Sequence, residues 1–267
     1  MRYIVLRDLR RTRAADPFGG AAGLDASPPE PSIELEDLDL KARKDLTRDP
    51  SVVAITRPMP VQLIRPIADD GAPRALDPDP NDPTAPGDPA PPAPPPVPVP
   101  PAPPPVAAAD AWGIEAVGAS RSAFTGNGTV VAVLDTGIDR AHPAFAGVTL
   151  VEQDFSGDGD GDRVGHGTHC AGTIFGRDVD GARIGVARGV TRALIGKVLD
   201  DHGGGSSENV LRGLRWAVEQ GADVISMSIG LDFPGVVKQQ VDAGMPIELA
   251  TSVALEAYRG NARMFPR

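Results

Sequence analysis

Apolar residues dominate two runs of the chain, TVVAVLD from Thr129 to Asp135 and ALIGKVL from Ala193 to Leu199. Apolar side chains at successive positions, rather than at every second one, predict strands buried on both faces, as in a parallel sheet. Between the glycine-rich GGGSS and Gly221, the segment ENVLRGLRWAVEQ puts Val210, Leu214, Ala217 and Val218 on one helical stripe. Ser206 or Ser207 is the expected N-cap of that helix, and Gly221 lies just past its end. The next run, DVISMSIG, again predicts a strand. Strand, helix and strand at this spacing imply right-handed crossovers in a parallel sheet, so the region from Asp110 onward is expected to be α/β.

Upstream the pattern is of another kind. Strand-like runs at Tyr3 to Leu6, Ser51 to Ile55 and Val61 to Ile64 accompany a polar segment, Asp37 to Asp49, with helical character. Together they predict a small α+β unit over residues 1–75. Residues 76–109 include DPDPNDPTAPGDPAPPAPPPVPVPPAPPP, where missing N–H donors and fixed φ angles exclude helix and sheet and favour extended polyproline II. This is a semi-rigid linker. Residues 110–267 form the third segment, which closes on a predicted helix, IELATSVALEAYRGNARMF.

Composition narrows the range of partners. With 267 residues and a net charge of -10, the chain suits neither nucleic acid nor an anionic membrane surface, both of which require clustered Lys and Arg. No segment is apolar for long enough to span a bilayer, and MRYIVLRDLRRTR has no uninterrupted apolar core of signal-peptide length. A cytoplasmic location is expected by default, or a secreted one if sequence precedes Met1. The single cysteine, Cys170, excludes a fold framed by internal disulfides.

Candidate chemistry concentrates in HGTHCAG, His166 to Gly172, which holds two of the four histidines and the only cysteine. Three readings compete there. A zinc site would use both histidines and the thiol, yet no further Cys or His pair lies at ligand spacing. A nucleophilic thiol is disfavoured because Cys170 falls in an apolar stretch, where it reads as a small buried hydrophobe. A general base is the third reading. His166 follows the loop SGDGDGDRVG and opens an apolar helix, and Asp135, at the carboxyl end of a predicted parallel strand, is a plausible carboxylate to orient it. His169 reads as a packed, hydrogen-bonded residue, whereas His142 and His202 carry no signal beyond that of loop histidines.

VAVLDTGIDRAHPAF and GHGTHCAGT resemble the Asp and His motifs of the subtilisin-like serine proteases, and the cysteine within HGTHCAG is similar to the proteinase K branch. The resemblance runs from about Trp112, where AWGIEAVGA is similar to the usual start of the mature enzyme, to about Gly230. It implies a doubly wound α/β fold in which Asp135 orients His166 and His166 deprotonates a serine that attacks a peptide carbonyl. It further implies that Gly203, Gly204 and Gly205 line one wall of a substrate cleft and Ser228, Ile229 and Gly230 the other. Glycine there allows close main-chain approach of a substrate strand. The start YIVLRD and the stretch IELEDLDLKARKDLTRDPSVVAITRPMPVQL resemble the family's inhibitor propeptide, which assists folding and blocks the cleft with its C-terminal tail. An unrelated small α+β domain is the alternative.

The family's serine motif, G-T-S-M-A, and the strand that precedes its oxyanion asparagine do not occur in the chain. Ser252 in ATSVA lacks the preceding glycine and the following proline, and Asn261 in RGN stands in helical rather than strand context. The chain is therefore expected to be the N-terminal part of a subtilisin-like protease, acting on peptides or proteins, with its own propeptide as an intramolecular partner. A non-catalytic interaction protein using PPAPPPVPVPPAPPP as a ligand for aromatic grooves is the alternative. No cofactor is needed for the chemistry. Asp154, Asp158, Asp160 and Asp162 offer hard oxygen ligands of the kind calcium prefers, with a solvated loop as the competing reading. The acid through which relatives often bind calcium in the H-P-D-L segment is Ala144 here.

Overall fold

The computed structural model describes residues 1–8, 32–64 and 110–265. Its centre is β5, Val130–Asp135, whose last five residues are buried. Successive side chains of a strand point to opposite faces, and here both faces are covered. Val131 and Val133 pack with Phe145, Ala171, Phe175 and Ile195 on one side. On the other, Ala132 meets Leu194 and Ala217, and Leu134 meets Val198 and Val210. Ala171 and Phe175 belong to α3, His166–Phe175, and Val210 and Ala217 to α4, Ser207–Glu219.

The sheet around β5 runs β6-β7-β5-β9, all parallel, with β6 at Thr149–Asp154, β7 at Arg192–Lys197 and β9 at Val224–Met227. Parallel strands with a helix on each face make this the expected doubly wound α/β arrangement. Ser206 caps α4 by accepting from the Asn209 N–H. Val218, assigned to the inward stripe by periodicity, is instead 64% exposed, and Leu211 is buried. The inward face turns toward Leu211 because a second layer covers that side of α4.

That layer is the N-terminal unit. Its antiparallel sheet has the order β2-β1-β3, with β1 at Arg2–Arg7, β2 at Ser32–Asp37 and β3 at Val52–Thr56. One face holds Tyr3 and Val5 against Leu38 and Ala42, the latter from α1, Leu40–Leu46, which Asp39 caps. The other face seats Ile4 and Ala54 on Leu211 and Met264. The α+β character expected for this part is present. The proposed boundary at residue 75 and the linker over residues 76–109 lie outside the described residues.

A third, small sheet joins the two layers. In it β4, Pro60–Leu63, runs antiparallel between β8, Gly204–Ser206, and β10, Ile229–Leu231. The run DVISMSIG is thus two strands, β9 and β10, interrupted at Ser228 where the chain leaves the central sheet. Two helices follow, α5 at Phe233–Asp242 and α6 at Ile247–Ala262. The α/β region begins with α2, Trp112–Ala116. Its start is pinned by Arg183, whose main chain exchanges bonds with Asp110 and Ala111 while its buried guanidinium donates to the carbonyls of Ala119, Gly185 and Val186.

Candidate active site

Asp135 is the last residue of β5 and only 1% exposed. Its Oδ1 accepts from the Thr136 N–H at 2.8 Å and lies 2.8 Å from Nδ1 of His166, the first residue of α3. With the carboxylate oxygen as acceptor, Nδ1 is the donor of this contact, and in the neutral ring that leaves the lone pair on Nε2. This is the tautomer that a general base requires.

Two glycines let the strand end and the helix start approach this closely. Gly137 has φ +103°, and a Cβ there would fall against the Gly161 carbonyl oxygen. A Cβ on Gly167 would meet the Gly137 oxygen and stand 3.2 Å from the Cβ of Asp135. A side chain at Gly167 would therefore push Asp135 and His166 apart, and one at Gly137 would displace the loop at Gly161.

Asp162 ties the same two segments together from the loop before α3. It accepts from the hydroxyls of Thr136 and Thr168 and from the N–H groups of Val164, Gly165 and Thr168. Thr136 Oγ1 in turn accepts from the Gly167 N–H at 3.0 Å. Burial raises the Asp162 pKa, but the hydrogen bonds from Thr168, Gly165 and Thr136 outweigh it and hold the carboxyl below its usual value. Lys197, buried at the end of β7, anchors the other side of the loop through the Gly161 carbonyl at 3.0 Å and Asp201 at 2.6 Å. Neither Asp162 nor Lys197 was singled out for this positioning role by sequence. The only signal was an acid four residues before the candidate base, and it read equally well as part of a calcium loop.

In that loop Asp154 accepts from the Ser156 hydroxyl and from the N–H groups of Ser156, Gly157 and Gly159. Burial raises its pKa, and these bonds more than offset that, leaving it low. Asp158 accepts from the Asp201 N–H. Much of the oxygen available to a cation is thus engaged in holding the loop's own backbone. Asp160 stands near Glu152, whose pKa is raised first by burial and further by the Asp160 charge, against the pull of Arg140. Ala144 is buried.

Cys170 Sγ lies 3.7 Å and 3.9 Å from the two ring nitrogens of His166. Burial, and then the Asp135 charge, push its thiol upward, which disfavours the thiolate. Among the described residues, Asp135, His166 and Cys170 are the group of three possible ligands whose donor atoms converge within 4.8 Å. His169 is exposed rather than packed, because it points off the solvent side of α3. His142 accepts from the Ala144 N–H and caps a short turn.

The two expected cleft walls both meet β4. Gly205 pairs with Val61 and Gly204 with Gln62 on one side, and Gly230 with Gln62 and Ile229 with Leu63 on the other. The Leu63 N–H donates to the Gly203 carbonyl at 3.2 Å and the Ile64 N–H to the Ser228 carbonyl at 3.4 Å. Val61, 4% exposed, sinks among Leu134, Val198, Leu199 and Val210, whereas Gln62 reaches Asp232 at 3.2 Å. Ser252 is exposed on α6, its hydroxyl donating to the Glu248 carbonyl. Asn261 is on α6 as well, fully buried and hydrogen-bonded.

The sequence model of the subtilase family matches residues 126–259. Among similar proteins, the major intracellular serine protease of Bacillus subtilis is 39% identical over 111 residues, covering 39% of this chain and 35% of that protein. The minor extracellular protease Vpr of the same organism is 36% identical over 138 residues, covering 47% of this chain and 16% of Vpr. Subtilisin-like protease 6 of Trichophyton schoenleinii is 35% identical over 139 residues, covering 45% of this chain and 33% of that protein. The chain thus spans about a third or less of the length of these relatives. No helix among the described residues is long and apolar enough to cross a membrane. A family match over half the chain, running through Asp135, His166 and the strands that hold them, makes this protein a member of the subtilase family.

Proposed function

We propose that the protein acts in serine-type peptide-bond hydrolysis, with Asp135 as the orienting acid and His166 as the general base. The observation that carries this reading is the 2.8 Å contact between Asp135 Oδ1 and His166 Nδ1 at the carboxyl end of a parallel sheet. In this mechanism His166 Nε2 takes the proton of a serine hydroxyl as the oxygen attacks the scissile carbonyl, then returns it to the leaving amine. On this reading the nucleophile is the serine of the family's G-T-S-M-A motif, which does not occur in these 267 residues. Ser252 does not serve, because it sits on a helix with its hydroxyl bonded to its own backbone.

The substrate is a peptide held as an extended strand between β8 and β10 by main-chain bonds, with side chains read alternately by the apolar floor and by solvent. Residues 1–75 act as a propeptide-like unit whose strand β4 occupies that slot. The antiparallel pairing of β4 with both walls supports this reading, since a cleft filled by the chain's own strand excludes a second strand.

The test is to read the coding region past Arg267 and assay the longest product on a chromogenic peptide beside its His166→Ala variant. Hydrolysis that falls by at least about a thousandfold in the variant is the expected result. Equal activity in both proteins would remove His166 from the mechanism. A stop codon directly after Arg267, with no hydrolysis, would leave the Asp135 and His166 pair without a catalytic role.

A further inference from the structure

The segment joining β3 to β4, Thr56 to Met59, is gripped by two fully buried polar side chains from the α/β region, Ser207 and Asn261. The grip is a continuous relay. The Met59 N–H donates to Ser207 Oγ at 2.9 Å, and the Ser207 hydroxyl donates to Asn261 Oδ1 at 2.6 Å. Asn261 Nδ2 donates to the Arg57 carbonyl at 2.9 Å, and its second hydrogen is shared between the Ala257 carbonyl of its own helix at 2.9 Å and Thr56 Oγ1 at 3.2 Å. The Ser207 N–H closes the circuit on the Met59 carbonyl at 2.8 Å. Around this relay the fit is at backbone distance. A Cβ on Gly260 would stand 2.5 Å from Thr56 Oγ1, and Met59, 1% exposed, fills a pocket between Val236 and Ala254.

We propose that one contact outside the cleft walls, between the C-terminal end of α6 and the segment just before β4, sets the alignment of β4. On this proposal Asn261 is the residue that fixes the register of β4. An amide can donate to Arg57 and accept from Ser207 at once, which neither a carboxylate nor an apolar side chain does. The grip lies directly before Pro60, so it sets where β4 begins. A slip of one residue would turn Val61 out of its apolar pocket and drive Gln62 into it. The features recognised are a small hydroxyl side chain against Gly260, a carbonyl next to it that accepts from Asn261, and a long apolar side chain two residues later. The proposal rests on β4 as the occupant of the cleft only for its inhibitory consequence, since the grip itself requires no catalysis.

The test is amide hydrogen exchange on the full chain, comparing wild type, Asn261→Leu and Thr56→Val. The Leu63 and Ile64 amides of Asn261→Leu are expected to exchange at least tenfold faster, while those of Ala250 to Ala257 in α6 stay within twofold. Thr56→Val, which changes nothing on α6, is expected to move the same two amides in the same direction by about threefold. Unchanged exchange at Leu63 and Ile64 in both variants would overturn the proposal, as would α6 loosening in step with them in Thr56→Val. A labelled synthetic hexapeptide, MPVQLI, separates the two readings. Faster exchange with capture of the peptide supports both, whereas faster exchange without capture keeps the Asn261 grip and removes the cleft-blocking role.

Discussion

The approach of Asp135 to His166 and the seating of the N-terminal unit on α4 and α6 solve different problems with different materials. At the first, residues from two nearby segments are brought together by glycines with no room for a Cβ and by one carboxylate, Asp162, that collects five hydrogen bonds. These directional contacts act on top of the apolar packing of β5 against α3. At the second, partners far apart in sequence meet through apolar side chains such as Met59, Ile4 and Met264, with strand pairing and one polar relay setting the alignment. Proton transfer along a hydrogen bond demands placement to a fraction of an ångström, which directional bonds and backbone contact provide. Holding a small unit in place demands buried area, which apolar side chains provide in proportion to their size.

This contrast is breakable at its stiffest point. Gly167→Ala puts a methyl against the Gly137 carbonyl and beside Asp135, so it is expected to cost about 3 kcal/mol and to separate the pair. Denaturant midpoints measure the cost, and loss of the downfield His166 Nδ1 proton resonance reports the separation; an intact resonance would show that the approach tolerates a Cβ. Met59→Ala attacks the other region by leaving a cavity between Val236 and Ala254, with an expected loss of about 2 kcal/mol. Here the Nδ1 resonance is expected to persist, and its disappearance would mean that the two regions are not independent.

Asp162→Asn is the smallest of the three, at about 1.5 kcal/mol, because an amide keeps some of the bonds but loses the charge that strengthens them. Its signature is in the pH dependence. The folded Asp162 pKa is depressed, so its contribution is fully present above the unfolded value near 4 and is lost as pH falls through the folded value. Wild type should lose stability across that acid range more steeply than Asp162→Asn. Parallel pH curves for the two proteins would remove Asp162 from the account of how the dyad is held.

Much of the central sheet is legible from residue type alone. VVAVLD and ALIGK are apolar because they are covered on both sides, and that is visible one residue at a time. The strands β2 and β6 are not visible in this way. SIELED and TLVEQD sit at sheet edges, where charged residues replace apolar ones and blur the pattern. Val218 continues a helical stripe on paper, but which faces of α4 are covered depends on the N-terminal unit, a long-range contact that periodicity does not carry. Asp135 and His166 stood out by motif. The work of Asp162 did not, since an acid among glycines has the same sequence appearance whether it binds a cation or its own backbone.

Arg183 holds the beginning of the α/β region at Asp110 and Ala111, and the Ser228 carbonyl holds the end of the N-terminal unit at Ile64. Both ends of the intervening stretch are therefore moored independently of one another. Cutting the chain between them leaves the described pairing of β4 with β8 and β10 in place and changes the thermodynamic order of the association. A tethered strand rebinds at an effective concentration set by its tether, whereas a severed one rebinds at the concentration of free N-terminal unit in solution. Dilution, which is irrelevant to the intact chain, then decides whether β4 stays paired with β8 and β10.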